Sequence, residues 1–225
     1  ATHAADGYAR ACNKPGVVLV TSGPGITNCV TGIATAHMDS IPMIVISGQV
    51  SRQYVGSDAF QEADATGITR PICKHNFLIN DRESIADTFR KAFIIATTGR
   101  PGPVIIDIPK DLTDPNVKID FEYKKNIKIR SYKIKTNEDD NKIEEAAKIL
   151  CSAKKPMIYS GGGVILSKAS KELIKLTKLL NYPITNTLMG LGAYPSSDDQ
   201  FLGMLGMHGT YCLLYTSDAA DDTRS

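Results

Sequence analysis

The run Val17-Val-Leu-Val-Thr21 ends in Ser22-Gly-Pro-Gly25 and passes straight into a segment of helical period reaching about Met38. A short β-branched run reads as a buried strand, and a glycine–proline turn between it and a helix makes a βα unit, which commits the strand to a parallel sheet. The pattern recurs. A helix over Ala1 to Ala11 precedes it, and a strand at Met43 to Ser47 follows. A helix over Ala59 to Thr66, a strand at Phe77 to Ile79, a helix over Arg82 to Thr97 and a strand at Val104 to Ile108 complete a first α/β block. The helix over Arg82 to Thr97 sets Ile85, Phe89, Phe93 and Ile94 on one face. Asp114-Pro115 opens a polar stretch that runs to about Asn141 and separates this block from a second. There, a helix over Ile143 to Ser152, a strand at Pro156 to Tyr159, the turn Gly161-Gly162-Gly163, a helix over Lys168 to Leu180 and a strand at Ile184 to Thr187 begin another doubly wound sheet.

A chain of 225 residues with 42% hydrophobic and 22% charged side chains has room for two domains with cores of their own. Its formal net charge of +2 is too small for nucleic-acid binding, and the basic stretch Lys124 to Lys135 is answered at once by Glu138, Asp139 and Asp140, as in a solvated linker. No apolar run has the length of a membrane span. The five cysteines are scattered, without a C-x-x-C pair, which fits a reducing compartment better than a disulfide or metal framework. A cytoplasmic bacterial protein is the expectation; because residue 1 is Ala rather than Met, an organellar one with its targeting segment missing stays open.

Several residue groups can carry chemistry. The Ser22 to Gly25 turn stands where open parallel sheets bind ligands, at a strand's carboxyl end and a helix's amino end, although its spacing is neither a Walker loop nor G-x-G-x-x-G, and a plain turn remains possible. Asp58-Ala-Phe60-Gln61-Glu62-Ala-Asp64 gathers a ring, an amide and carboxylates; its plain reading is a helix start with Asp58 as N-cap and Phe60 in the core. Arg100 and Lys110 flank the strand at Val104 to Ile108, either as anion ligands or as solvated ends. The Gly161 to Gly163 turn can approach a pyrophosphate, and Thr187-Leu188-Met189 and Gly206-Met207-His208 combine small and soft side chains that suit a planar ring.

The order and wording of these segments closely resemble the large subunits of acetolactate synthases: GYARA at Gly7 to Ala11, PGVVLVTSGPGITN, GSDAFQEADATGITRP, TGRPGPVIIDIPKD, TLMGLGAYP and LGMLGMHGT, over Ala1 to about Tyr211. The resemblance implies a pyrimidine-binding domain of a thiamine-diphosphate enzyme over residues 1–112, a linker over 113–141 and the first part of a central FAD-binding domain over 142–211. It further implies that Ser22, Gly25, Asn28 and Gln61 contact thiamine diphosphate, that Phe60, Gln61 and Lys110 line the active site, and that Arg100, Gly161, Gly162, Gly163, Thr187, Leu188, Met189, Gly206, Met207 and His208 contact FAD. The implied reaction is decarboxylation of pyruvate on thiamine diphosphate and transfer of the hydroxyethyl unit to a second 2-keto acid, pyruvate or 2-ketobutyrate, in branched-chain amino-acid biosynthesis. Mg2+ would be held by residues outside this chain, in a homodimer or tetramer with a possible regulatory small subunit.

Two departures go with the resemblance. The family's glutamate that activates the aminopyrimidine precedes the segment matched by Ala1, so the chain alone is expected to be inactive. Ser51 stands where family members usually carry proline. The tail from Cys212 to Asp222 reads as one frame of a sequencing adaptor, and residues 212–225 are expected not to be native. An FAD-linked pyruvate oxidase and a non-catalytic nucleotide-binding module are the competing readings.

Overall fold

The computed structural model describes residues 1–119, 127, 129, 130, 132 and 139–209; most of the basic stretch Lys124 to Lys135 and all of the tail from Cys212 lie outside them. The chain divides into two units, Ala1–Thr136 and Asn137–Ser225, each built on its own parallel sheet.

In the first unit, β1 (Gly16–Val20), β2 (Met43–Gln49), β3 (His75–Leu78) and β4 (Pro103–Pro109) lie in the order β1-β2-β4-β3, all parallel. Successive side chains of a strand face opposite ways. One face of the sheet gathers Ile44, Val104 and Ile106, and α5 (Ser84–Thr97) covers it with Ala92, Ile95 and Ala96. The other face carries Val18, Met43, Val45 and Ile105 under α1 (Thr2–Cys12), α3 (Val30–Met38) and α4 (Ala65–Thr69). The segment expected as one helix to Met38 is two: α2 (Pro24–Thr27) ends at Asn28, and α3 begins after Cys29. Close approach requires glycine at two contacts of α1, because a Cβ on Gly16 would lie 2.3 Å from the Ala5 carbonyl oxygen and one on Gly32 would lie 2.2 Å from Thr2 Oγ1.

Three sequence expectations are corrected here. The first strand is not buried on both faces: β1 is the sheet's edge, α5 covers its neighbours and not β1, and Val17 and Leu19 stand 52% and 75% exposed. On α5 the covered side is Thr88, Ala92, Ile95 and Ala96, with Ile85 and Phe89 packed beside them, whereas Phe93 is exposed. No helix spans Ala59 to Thr66; α4 starts only at Ala65, with Asp64 rather than Asp58 as its cap.

Toward the carboxyl ends of β2 and β4, the face under α4 turns polar: Ser47, Gln49 and Asp107 are all buried there. Asp107 receives one hydrogen bond, from Gln49 Nε2 at 3.0 Å, while its Oδ1 is buried without a partner. Burial pushes this carboxyl up from 3.8 to about 6, against the pull of Gln49 and Ser47 and with a push from Asp64.

The second unit contains α6 (Asp140–Ser152), α7 (Gly162–Leu166), α8 (Ser170–Leu180) and a three-stranded parallel sheet, β5 (Ile158–Ser160), β6 (Ile184–Asn186) and β7 (Phe201–Met204), in the order β5-β6-β7. The third strand has no counterpart in the sequence reading, because Phe201-Leu-Gly-Met204 is short and interrupted by glycine.

Two stability measurements follow. Gly16→Ala should destabilise by about 2–3 kcal/mol through overpacking against Ala5. Gly7→Ala, at a helical position with nothing within 4 Å of a new Cβ, should stabilise by about 0.5–1 kcal/mol; urea denaturation reads both. The folded protein binds the Asp107 proton more tightly than the unfolded chain does, so its contribution to stability is complete below about pH 4 and is lost as pH rises through about 6, a difference of roughly 3 kcal/mol. Asp107→Asn is therefore expected to raise the melting temperature at neutral pH, with the gain shrinking toward pH 4; an equal gain at both pH values would contradict this.

Candidate functional site

Parallel strands all end on the same edge, so β1, β2 and β4 deliver their following turns to one place. After β1, Ser22-Gly23 turns into α2 with Gly23 at φ 57°. Near the carboxyl end of β2, Gly48 lies beside that turn; a Cβ there would sit 3.4 Å from the Ser22 nitrogen. After β4 comes Lys110, exposed, and then Asp111, whose carboxylate accepts from Arg52 N at 2.9 Å and Arg52 Nε at 2.7 Å. Those Arg52 bonds hold the Asp111 carboxyl below the usual range. Arg52 Nη1 also donates to the Asn80 carbonyl at 2.6 Å, so one side chain binds the segments that follow β2, β4 and β3. Ser51, with φ −58° and ψ 144°, holds a backbone geometry that proline would also adopt.

The segment from Gly56 to Asp64 forms a tight turn rather than a helix. The Glu62 carboxylate accepts from Gly56 N and, at 3.0 Å, from Ala59 N; these amides hold its carboxyl below the ordinary range, Gly56 contributing most. With Glu62 spent on the loop, the helix begins at the next available cap: Asp64, which accepts from Gly67 N at 2.8 Å and Thr66 Oγ1 at 3.0 Å. The turn is tight enough to place Asp58 at φ 57° and Gln61 at φ 59°, a left-handed conformation that costs a residue with a side chain about 1–2 kcal/mol. Its tip throws Phe60 outward, 90% exposed, where the sequence suited it to the core.

This turn and the Ser22 turn meet. A Cβ on Gly23 would lie 2.7 Å from the Gln61 carbonyl oxygen, so only glycine lets the two backbones touch. The fold thus gathers Ser22, Gly25, Phe60, Gln61 and Lys110 at the carboxyl edge of one sheet. Asn28 ends α2, its Nδ2 donating to the Pro24 carbonyl at 2.7 Å. Arg100 is elsewhere, at the amino end of β4, where it closes the end of α3 by donating to Ser40 Oγ at 2.7 Å and the Met38 carbonyl at 3.1 Å. Sequence reasoning missed Gln49, Arg52 and Asp111, since the only signal for each is a partner distant in the chain.

In the second unit the other candidates converge on an equivalent edge. β5 is followed by Gly161, β6 by Thr187, and β7 runs on toward Gly206-Met207-His208. Thr187 N donates to the Ser160 carbonyl at 2.9 Å, and its hydroxyl accepts from Gly190 N at 3.0 Å. A Cβ on Gly190 would lie 2.5 Å from the Ser160 carbonyl oxygen, and one on Gly162 would lie 3.1 Å from Met189 Cβ, so the two turns interlock. Leu188 and Met207 are exposed above them, as is His208. Beneath, Ser160 Oγ and both polar atoms of the Asn186 amide are buried without partners. Among the described residues no group of three or more His, Cys, Asp or Glu side chains could hold a metal ion, and no helix is long and apolar enough to cross a membrane.

Comparison with known proteins agrees with this two-part architecture. Residues 1–68 match the family described as thiamine pyrophosphate enzyme, N-terminal TPP binding domain, and residues 143–222 match thiamine pyrophosphate enzyme, central domain. The acetolactate synthase large subunit of Haemophilus influenzae is 56% identical over 210 residues, 93% of this chain and 37% of that protein. That of Buchnera aphidicola subsp. Schizaphis graminum is 58% identical over 211 residues, 94% of the chain and 37% of the relative. The acetolactate synthase isozyme 3 large subunit of Escherichia coli is 50% identical over 221 residues, 98% and 38%. The chain therefore spans less than two fifths of the length of these relatives. Within that span it belongs to the thiamine pyrophosphate enzymes, as a homologue of acetolactate synthase large subunits.

Proposed function

We infer that the full-length protein carrying this sequence is an acetolactate synthase: it decarboxylates pyruvate and joins the two-carbon unit to a second 2-keto acid. The observation that carries the reading is the contact between the Ser22-Gly23 turn and the Phe60-Gln61 turn at the carboxyl edge of the first sheet, in a chain whose relatives bear that name.

The first unit's edge suits thiamine diphosphate. Gly23 and Gly48 let the turns at this edge pack closely, and beside them Phe60 offers a flat heterocycle an apolar ring that the chain itself does not cover. When bound, thiamine diphosphate supplies a nucleophilic carbon and an electron sink for loss of CO2. The chain's own part is binding and orientation. Ser22, Gly25 and Asn28 hold the aminopyrimidine side. The Gln61 amide and the Lys110 ammonium stand ready to hydrogen-bond the keto acid's oxygens, and Phe60 keeps water from the reacting centre. The second unit's edge suits FAD: two interlocked glycine turns let a pyrophosphate approach backbone, and the unpaired Asn186 and Ser160 groups call for polar partners. Gly161, Gly162, Gly163, Thr187, Leu188, Met189, Gly206, Met207 and His208 would line it. Arg100 is assigned there by resemblance alone, since its guanidinium is engaged at the end of α3. Mg2+, assembly as a homodimer or tetramer and a regulatory small subunit belong to the same proposal.

The test is acetoin formation after acid decarboxylation, with pyruvate, thiamine diphosphate, Mg2+ and FAD. Product that disappears without thiamine diphosphate is expected, and Gln61→Ala should lower kcat roughly 10²-fold. Acetate or acetyl phosphate in place of acetolactate, with flavin reduced by pyruvate, would instead make the protein a pyruvate oxidase.

A further inference from the structure

The Gln49 side chain, at the end of β2, reaches the turn that bears Phe60 and Gln61, and every polar atom of its amide is committed. Nε2 donates to the Ala63 carbonyl at 2.8 Å and to Asp107 Oδ2 at 3.0 Å, and Oε1 accepts from Val50 N at 2.8 Å. Asp107 decides which way the amide faces, because the flipped orientation would set Oε1 against both the carboxylate and the Ala63 carbonyl. Ala63 lies two residues beyond Gln61, whose left-handed backbone persists only where its surroundings over-determine it. Three contacts do so: Glu62 closes the turn on itself, Gly23 supports Gln61 from below, and Gln49 fastens the turn's end to β2.

We propose that Gln49 is a positioning residue, whose amide, oriented by Asp107, holds the Phe60-Gln61 turn in register over the strand ends so that Gln61 meets the keto acid. The proposal rests on the reading of the full-length protein as an acetolactate synthase, and it accounts for a buried carboxylate kept at a cost in stability. The groups facing Gln49 and Asp107 are Ser47 on β2, Leu78 on β3 and Asp64 at the start of α4; of these only Asp64 can carry charge. A carboxylate in place of the Gln49 amide would lack the proton for Ala63 and would face Asp107 and Asp64, regaining a donor only when protonated.

In the full-length protein, Gln49→Leu is expected to lower kcat/KM for acetolactate formation about 10- to 100-fold, the scale of a misplaced reacting group. Gln49→Glu should recover activity relative to wild type as pH falls from about 8 to about 6. Chymotryptic cleavage after Phe60, a readout independent of turnover, should speed up about tenfold or more in Gln49→Leu as the turn is released. Activity of Gln49→Leu within about threefold of wild type, or a Gln49→Glu pH profile parallel to wild type, overturns the proposal, and the second result decides even where Gln49→Leu fails to fold. If wild type forms no acetolactate the functional reading falls; the tether then stands or falls on whether cleavage after Phe60 accelerates.

Discussion

The parallel ladder between β2 and β4, seven residue pairs from Met43–Pro103 to Gln49–Pro109, is the constraint on which the first unit depends. It runs through the middle of the sheet, so both its faces are covered, and its apolar half supplies the core under α5 on one side and under α1, α3 and α4 on the other. Because the pairing is in register to the last residue, the segments after both strands leave the sheet together, and β1, paired to β2, releases the Ser22 turn beside them. A slip of β2 by one residue against β4 would reverse the facing of every side chain on β2 and send Gln49 to the side of α5, away from Asp107 and Ala63.

The same ladder changes character along its length, from apolar at the centre to polar at the carboxyl edge. Buried polar groups raise cost unless paired, and the stripe of Ser47, Gln49 and Asp107 replaces apolar residues where α4 covers the sheet. Gln49 is fully paired and Asp107 only half so, and burial raises the carboxyl of the latter to about 6. Backbone strain collects beside this stripe, at Asp58 and Gln61. The half-paired Asp107 and the left-handed Asp58 and Gln61 thus fall at the edge where parallel sheets place ligands.

The second unit repeats the principle with fewer strands. Its three parallel strands end in three turns, and glycine at positions 162 and 190 lets two of them interlock so closely that a methyl group would not fit at Gly190. The unpaired Asn186 and Ser160 lie under those turns rather than in the apolar layer. In both units, then, the glycine turns gather where strands stop and the backbone's own donors and acceptors are left over.

The sequence by itself determined the α/β class, the two-part organisation, most strand and helix positions and the glycine turns, because each follows from local chemistry: β-branched runs, helical period and residues that tolerate tight bends. It also carried enough wording to place the chain beside acetolactate synthases. Only the tertiary structure decided that β1 is an edge with Val17 and Leu19 open, that residues 56–62 form a turn with Phe60 outward instead of a helix, and that Gln49 joins Ala63 to Asp107. The physical reason is range. The two distant partners of Gln49 stand 14 and 58 positions away in the chain, and no local pattern marks an amide that will find them. Glu62 and Asp64 show the same limit at close quarters: both suit the first turn of a helix, and the loop's need to satisfy the amides of Gly56 and Ala59 determined that only Asp64 became the cap.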